Sequence, residues 1–98
     1  MNRLLDSKEI EHSLTSLNKL SSVRWERVDG KLYTRLDFSD FVNAFGFMTK
    51  VAIIAERINH HPEWSNVYKT VKIYLVTHES GGITNKDIEL AENISKLI

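Results

Sequence analysis

The chain has 98 residues, with 13 basic and 13 acidic side chains, a hydrophobic content of 42%, one proline and no cysteine. This length and composition predict one globular domain over residues 1–98, and the balanced charge gives no positive field for a nucleic-acid backbone or an anionic membrane. The lack of cysteine excludes disulfides, thiolate chemistry and cysteine-rich zinc sites, and no apolar run reaches the length of a membrane span, so we expect a cytoplasmic protein with neither nucleic acid nor membrane as a partner.

The first predicted element is a helix over about residues 7–18. Asp6 and Glu9 stand three positions apart, which is the spacing of a capping box. Apolar residues then follow at helical spacing, at Ile10, Leu14 and Leu17.

A hairpin is predicted next, with strands over residues 23–28 and 31–38. The two segments flank Asp29-Gly30, a dipeptide that adopts the positive φ angles of a two-residue turn at little cost. In the second segment apolar and polar side chains alternate, so one face of the sheet should be buried and the other mostly polar.

A long helix should begin at a Ser39 cap and continue to Arg57 or beyond. Pro62 ends it, because the ring restricts His61 to extended conformations. One stripe of apolar side chains is predicted to be the buried face of this helix. It consists of Phe41, Phe45, Met48, Ala52 and Ala55, and it is widened by Val51, Ile54 and Ile58.

Two more strands are predicted over residues 64–67 and 70–77, joined near residues 68–69. Thr84 and Asp87 form a second capping pair, for a last helix with inward residues Ile88, Ala91, Ile94 and Ile98. The order α-β-β-α-β-β-α predicts an α+β fold, in which three helices pack on one face of a four-stranded antiparallel sheet. The opposite face suits either solvent or a subunit interface, and it carries Tyr33, Arg35, Lys72 and Tyr74.

The chemically informative residues are Glu56, His60 and His61 at the end of the long helix and His78 at the end of the last strand. Imidazole both gives and takes a proton near neutral pH, because its ordinary pKa is about 6.5. Glu56 lies one helical turn before His60 and is predicted to orient a ring and favour its cation. The cluster therefore predicts general acid and base catalysis.

Structural explanations stay open for the same residues. A histidine is favourable at any helix C-terminus, His78 could simply end a strand, and Asp87 is more expected to cap its helix than to take part in chemistry. Trp64 and Tyr68 could pack in the core or stack on a flat heterocycle.

These residues give the chain a specific resemblance to the pterin-4a-carbinolamine dehydratases, whose mammalian member is also called the dimerization cofactor of a homeodomain transcription factor. The pattern of that family runs from an acidic residue through three variable positions to His-His-Pro, then to an aromatic residue, a distant histidine and an aspartate. This sequence matches it at Glu56, His60, His61, Pro62, Tyr68, His78 and Asp87. The resemblance extends from about Trp25 to the C-terminus.

The resemblance implies a hydro-lyase, 4a-hydroxytetrahydrobiopterin dehydratase, acting in tetrahydrobiopterin recycling. It implies that the pterin is the substrate, that no cofactor or metal is needed, and that the chain forms a homodimer or a homotetramer. An aromatic amino-acid hydroxylase would be a partner in the same pathway.

From the need of the reaction for one acid and one base, we assign His60, His61, His78 and Glu56 as the catalytic residues. His60, oriented by Glu56, and His78 would exchange protons, while His61 would mainly bind and share in proton transfer. Asp87 would support the site. The pterin would be held, partly by backbone groups, at Asn59, His60, His61, Val76, Thr77, His78, Glu79 and Trp64. A small hydroxyl residue of the mammalian member is replaced by Val76, so any side-chain contact made there would be missing.

Three other functions stay open. A metalloenzyme could use the three histidines and Glu56 as ligands, although adjacent histidines before proline do not supply the i, i+4 pair of a helical zinc site. A protein-interaction module resembling a transcriptional coactivator would use helix surfaces and leave the histidines unused. A dehydratase could also act on another pterin.

Overall fold

The computed structural model describes residues 2–98 and contains three α-helices and one four-stranded antiparallel sheet. In chain order the elements are α1 (Ser7–Leu20), β1 (Glu26–Val28), β2 (Lys31–Asp37), α2 (Phe41–Ile58), β3 (Glu63–Val67), β4 (Thr70–Leu75) and α3 (Asn85–Ser95). The predicted α+β fold and its element order are confirmed.

The sheet has the strand order β1-β2-β4-β3, so β2 and β4 form its centre. Each neighbouring pair is antiparallel, with Tyr33 opposite Tyr74 and Tyr74 opposite Glu63. Strand residues that point toward the helices alternate with those that point away, and the inward side chains form the core with apolar residues of all three helices. The largest fully buried members are Ile10, Leu17, Leu32, Ile73, Leu75, Leu90 and Ile94.

The turn and cap chemistry follows the local sequence. Asp29 and Gly30 both adopt positive φ, at 52° and 73°, as a two-residue hairpin turn requires. The predicted capping boxes at Asp6 and Thr84 are both present. These three features determine the hairpin turn and the N-terminal ends of α1 and α3 through sequence-local interactions.

Several element ends differ from the predictions. Asp40, not Ser39, caps α2, because its carboxylate accepts from the Asn43 amide at 2.8 Å. Strand β4 ends at Leu75, two residues early, because the chain then enters a 3₁₀ turn at His78–Ser80 that the strand pattern did not indicate. Helix α3 ends at Ser95, so Ile98 is an exposed residue beyond it.

The predicted buried stripe of α2 is partly wrong. Phe41, Phe45 and Ala52 are exposed, whereas the predicted Val51, Ile54 and Ala55 are buried, together with Ala44 and Phe47, which lay outside the predicted stripe. Apolar residues occur on nearly all sides of this helix, so periodicity alone does not identify the buried side. Although α2 is apolar, no helix in residues 2–98 is both long and apolar enough to cross a membrane.

Candidate active site

A groove of about 310 Å³ lies between the C-terminal end of α2 and the segment that follows β4. It is lined by Asn59, His60, His61, Val76, Thr77, His78 and Glu79. Three of the four histidines in the sequence therefore meet at one groove. Its size is at the lower end of the range of small-molecule sites, about 300–1,000 Å³.

The helix end determines where the two adjacent histidines point. Asn59 adopts the left-handed conformation, with φ 54°, and its amide donates to the carbonyls of Ala55 and Glu56. Asparagine tolerates this conformation better than most residues and is a common helix terminator. The chain turns here, before Pro62, so His60 and His61 leave the helix in different surroundings.

His60 is the enclosed histidine of the groove. Its side chain is only 12% exposed, and its Nε2 lies 2.6 Å from Oδ1 of the fully buried Asp87. The other carboxylate oxygen of Asp87 accepts from the Thr77 hydroxyl at 2.8 Å and from the Thr84 amide at 2.9 Å. Asp87 thus caps α3, as predicted, and also contacts a groove histidine from within the core.

His61 is the open histidine beside it. Its side chain is 56% exposed, and its Nε2 lies 2.8 Å from Oε1 of Glu56. The prediction that Glu56 orients His60 is wrong, because the helix stops at Ile58 and the i−4 relation to His60 is lost. Glu56 therefore pairs with His61, one position beyond His60.

His78 lines the groove from the segment that follows β4 and is 72% exposed. Its Nε2 lies 3.1 Å from Oε2 of Glu63, whose Oε1 accepts from Lys31 at 2.7 Å. The hydrogen bond from Lys31, followed by that from His78, holds the pKa of the Glu63 carboxyl below its ordinary value. The sequence predictions missed Glu63, because its contact with His78 depends on the pairing of β3 with β4.

Over residues 3–97 the sequence matches the family described as Pterin 4 alpha carbinolamine dehydratase. The chain belongs to that family.

Relatives and a solved structure agree with this membership. A protein of Prochlorococcus marinus is 49% identical over 98% of this chain and 95% of its own length. A Chelativorans protein is 48% identical over 93% of this chain and 90% of its own length. Both carry the name pterin-4-alpha-carbinolamine dehydratase as a provisional assignment. A crystal structure from Brucella melitensis, described as a transcriptional coactivator/pterin dehydratase, has a TM-score of 0.86 and 38% identity, and covers 98% of each chain.

Trp64 and Tyr68, the two aromatic residues considered for the site, do not line the groove of this pterin dehydratase family member. Trp64 is half-buried and packs against the core, and it does not line the groove. Tyr68, the aromatic position of the family pattern, is exposed in the β3–β4 turn with φ 53°. For Trp64 the packing explanation therefore fits its position better than stacking on a ligand.

The groove can support proton transfer at three separate imidazoles. An ionised carboxylate only accepts hydrogen bonds, so the 2.6 Å contact of Asp87 fits the His60 tautomer that carries its proton on Nε2. Nδ1 of His60 has no hydrogen-bond partner in residues 2–98, and His60 lines the groove, so Nδ1 is the ring nitrogen left to contact a bound molecule. As for metals, no three His, Asp or Glu side chains within the described range are arranged to hold an ion.

Proposed function

We propose that this protein dehydrates a 4a-hydroxytetrahydropterin to the quinonoid dihydropterin and water, in tetrahydrobiopterin recycling. The observation that carries the proposal is the meeting of His60, His61 and His78 at one groove, each beside a different carboxylate. The family membership supports the same substrate class. An aromatic amino-acid hydroxylase would supply the carbinolamine.

The reaction needs one acid and one base. A proton delivered to the 4a hydroxyl lets the N5 lone pair form the C4a–N5 double bond while the C4a–O bond breaks and water leaves. Loss of the N5 proton to a base then gives the neutral quinonoid dihydropterin. No electrons are exchanged with a second reactant, so positioned imidazoles can supply the catalysis, typically about 10²–10⁴-fold for each proton transfer.

The surroundings of the three histidines suggest a division of roles. In this proposal His60 takes a proton through Nδ1, because Asp87 occupies Nε2 at 2.6 Å. His78 gives the proton to the hydroxyl, since it lines the same groove and Glu63 holds its ring through Nε2, at 3.1 Å. His61 mainly binds the substrate, because its carboxylate partner, Glu56, is itself 82% exposed.

The test is a dehydration assay with 4a-hydroxytetrahydrobiopterin formed in situ by a phenylalanine hydroxylase. We expect the purified protein to accelerate appearance of the quinonoid product above the uncatalysed rate, with no change when a chelator is present. The matched control is the double variant His60→Ala/His78→Ala, with its fold checked by circular dichroism. A parent rate no higher than that of the folded double variant contradicts the proposal, and loss of activity in chelator with recovery in zinc contradicts the metal-free reaction.

A second candidate function is protein interaction through α2. The observation in its favour is the exposed apolar side of that helix, with Phe41, Phe45 and Ile53 about half or more exposed. The Brucella structure is also described as a transcriptional coactivator. This function would leave the histidines unused, so the same double variant separates it from the dehydratase.

A further inference from the structure

Thr77 lines the groove, yet its hydroxyl is directed into the protein. The residue is 3% exposed, and Oγ1 lies 2.8 Å from Oδ2 of Asp87 and 2.8 Å from Oγ1 of Thr84. Both partners are fully buried. The hydroxyl is therefore occupied by two interior contacts and is not free to bind a molecule in the groove.

The directions of these hydrogen bonds follow from the number of protons available. An ionised carboxylate only accepts, so the single hydroxyl proton of Thr77 goes to Asp87. The Thr84 hydroxyl must then donate to Thr77, while it accepts from the amide of Lys86 at 3.2 Å. Every donor in this series of hydrogen bonds, from the Lys86 amide to the Thr77 hydroxyl, points toward Asp87.

These hydrogen bonds give the two carboxylate oxygens of Asp87 different partners. Oδ2 receives two donors, the Thr77 hydroxyl and the Thr84 amide, and this fixes the plane of the carboxylate. Oδ1 is left for Nε2 of His60, at 2.6 Å. Buried networks in which every group is satisfied hold their members in one arrangement.

We infer that Thr77 is a positioning residue for His60: its hydroxyl holds Asp87 so that His60 carries its proton on Nε2 and presents Nδ1 to the groove. The role in turnover rests on the proposed dehydratase function, whereas the tautomer does not. Thr77 thus acts on the proton-transfer step through Asp87 and His60, and its side chain does not bind the substrate.

The backbone of Thr77 has a separate task, which a side-chain variant leaves in place. Its amide donates to Gly82 at 2.9 Å, and its carbonyl accepts from the Ser80 amide at 3.1 Å and the Gly81 amide at 3.0 Å. These bonds shape the 3₁₀ turn that carries His78. Removing only the hydroxyl should therefore disturb His60 and leave the His78 wall intact.

The first measurement is the tautomer of His60 without substrate, from long-range ¹H–¹⁵N spectra of the histidine rings above pH 8, assigned by comparison with His60→Ala. We expect the Nε2–H form in the parent, a mixture of both forms in Thr77→Val, and the parent form in Thr77→Ser. The matched control is Thr34→Val, which removes another buried hydroxyl, one that donates to the Arg24 carbonyl at 2.8 Å. It should leave the His60 signals unchanged.

The second measurement is turnover. Loss of one hydrogen bond on a positioning group should lower kcat of Thr77→Val about 3- to 10-fold with little change in KM, and Thr77→Ser should recover it. A rise in KM alone, or a fall in kcat with an unchanged tautomer, would overturn the inference.

The parent protein also tests the inference if Thr77→Val does not fold. A parent His60 protonated on Nδ1 would contradict it directly. An inactive parent with the expected tautomer pattern across the variants would instead reject the proposed function and leave the positioning role standing.

Discussion

His60 and His61 are neighbours in the chain, yet their surroundings differ in burial and in the carboxylate each contacts. We expect His60→Ala and His78→Ala to lower kcat, with His60→Ala losing about 10²-fold, because each removes a positioned proton-transfer group. His61→Ala should mainly raise KM, about 5-fold for one lost hydrogen bond. Steady-state kinetics of the three variants measures both constants.

Glu56→Gln is the control for this division. Because Glu56 contacts His61, its substitution should follow His61→Ala in direction and more weakly, and it should not resemble His60→Ala. The double variant His60→Ala/His78→Ala should lose nearly all activity even if one imidazole partly replaces the other in the single variants. A kcat of His60→Ala equal to that of the parent would refute the assignment of proton transfer to His60.

At the level of single residues the motif identifies the groove histidines but not their partners. The spacing of Glu56 and His60 predicts a helical contact, yet the left-handed Asn59 lies between them and ends the helix. Asp87 reaches His60 from 27 positions away, so only the packing of α3 against the end of α2 could reveal that contact. Local sequence predicts a cap for Asp87 because capping depends on three neighbouring positions.

Among the elements, α1 is the one whose N-terminal contribution to stability should depend on pH. Glu9 accepts from Arg3 and from the Asp6 amide, and these bonds, that to Arg3 first, lower its pKa from 4.5 to about 2. A carboxylate with a lowered pKa stabilises the fold fully above its unfolded pKa and loses that contribution as pH falls through the folded pKa. We expect the Tm advantage of the parent over Glu9→Gln to shrink between about pH 5 and pH 2.

Circular dichroism melts at several pH values provide the measurement. Both groups are exposed, so the advantage at pH 6 should also decrease in high salt. A Tm difference between parent and Glu9→Gln that stays constant from pH 6 to pH 2 would show that the charge of Glu9 does not stabilise α1.

The helices also show where sequence patterns lose their predictive power. Helix α1 has a polar face, and its buried residues Ile10, Leu14 and Leu17 agree with the periodicity. Helix α2 has apolar residues on several faces, so Phe41 and Phe45 fit a buried stripe in the sequence although they are exposed in the fold. A pattern of hydrophobicity identifies a buried face only where the opposite face is polar.

On the scale of the whole molecule, two surfaces could join copies of the chain. The open face of the sheet carries the Tyr33 and Tyr74 rings, 4.7 Å apart between centroids, but charged side chains flank them. The exposed side of α2 carries the Phe41 and Phe45 rings, 5.7 Å apart, with Ile53 further along. Large exposed apolar side chains that lie together are characteristic of interfaces, so α2 is the better candidate for self-association.

Light scattering should therefore give a mass at least twice that of the 11.3 kDa monomer at micromolar concentration. Phe45→Glu should lower this mass toward the monomer, because each copy would place a charge in an apolar contact that symmetry repeats. Tyr33→Ser, on the open face of the sheet, is the matched comparison and should leave the mass unchanged. A parent that is strictly monomeric would contradict the predicted oligomer. A mass lowered by Tyr33→Ser alone would place the interface on the sheet and not on α2.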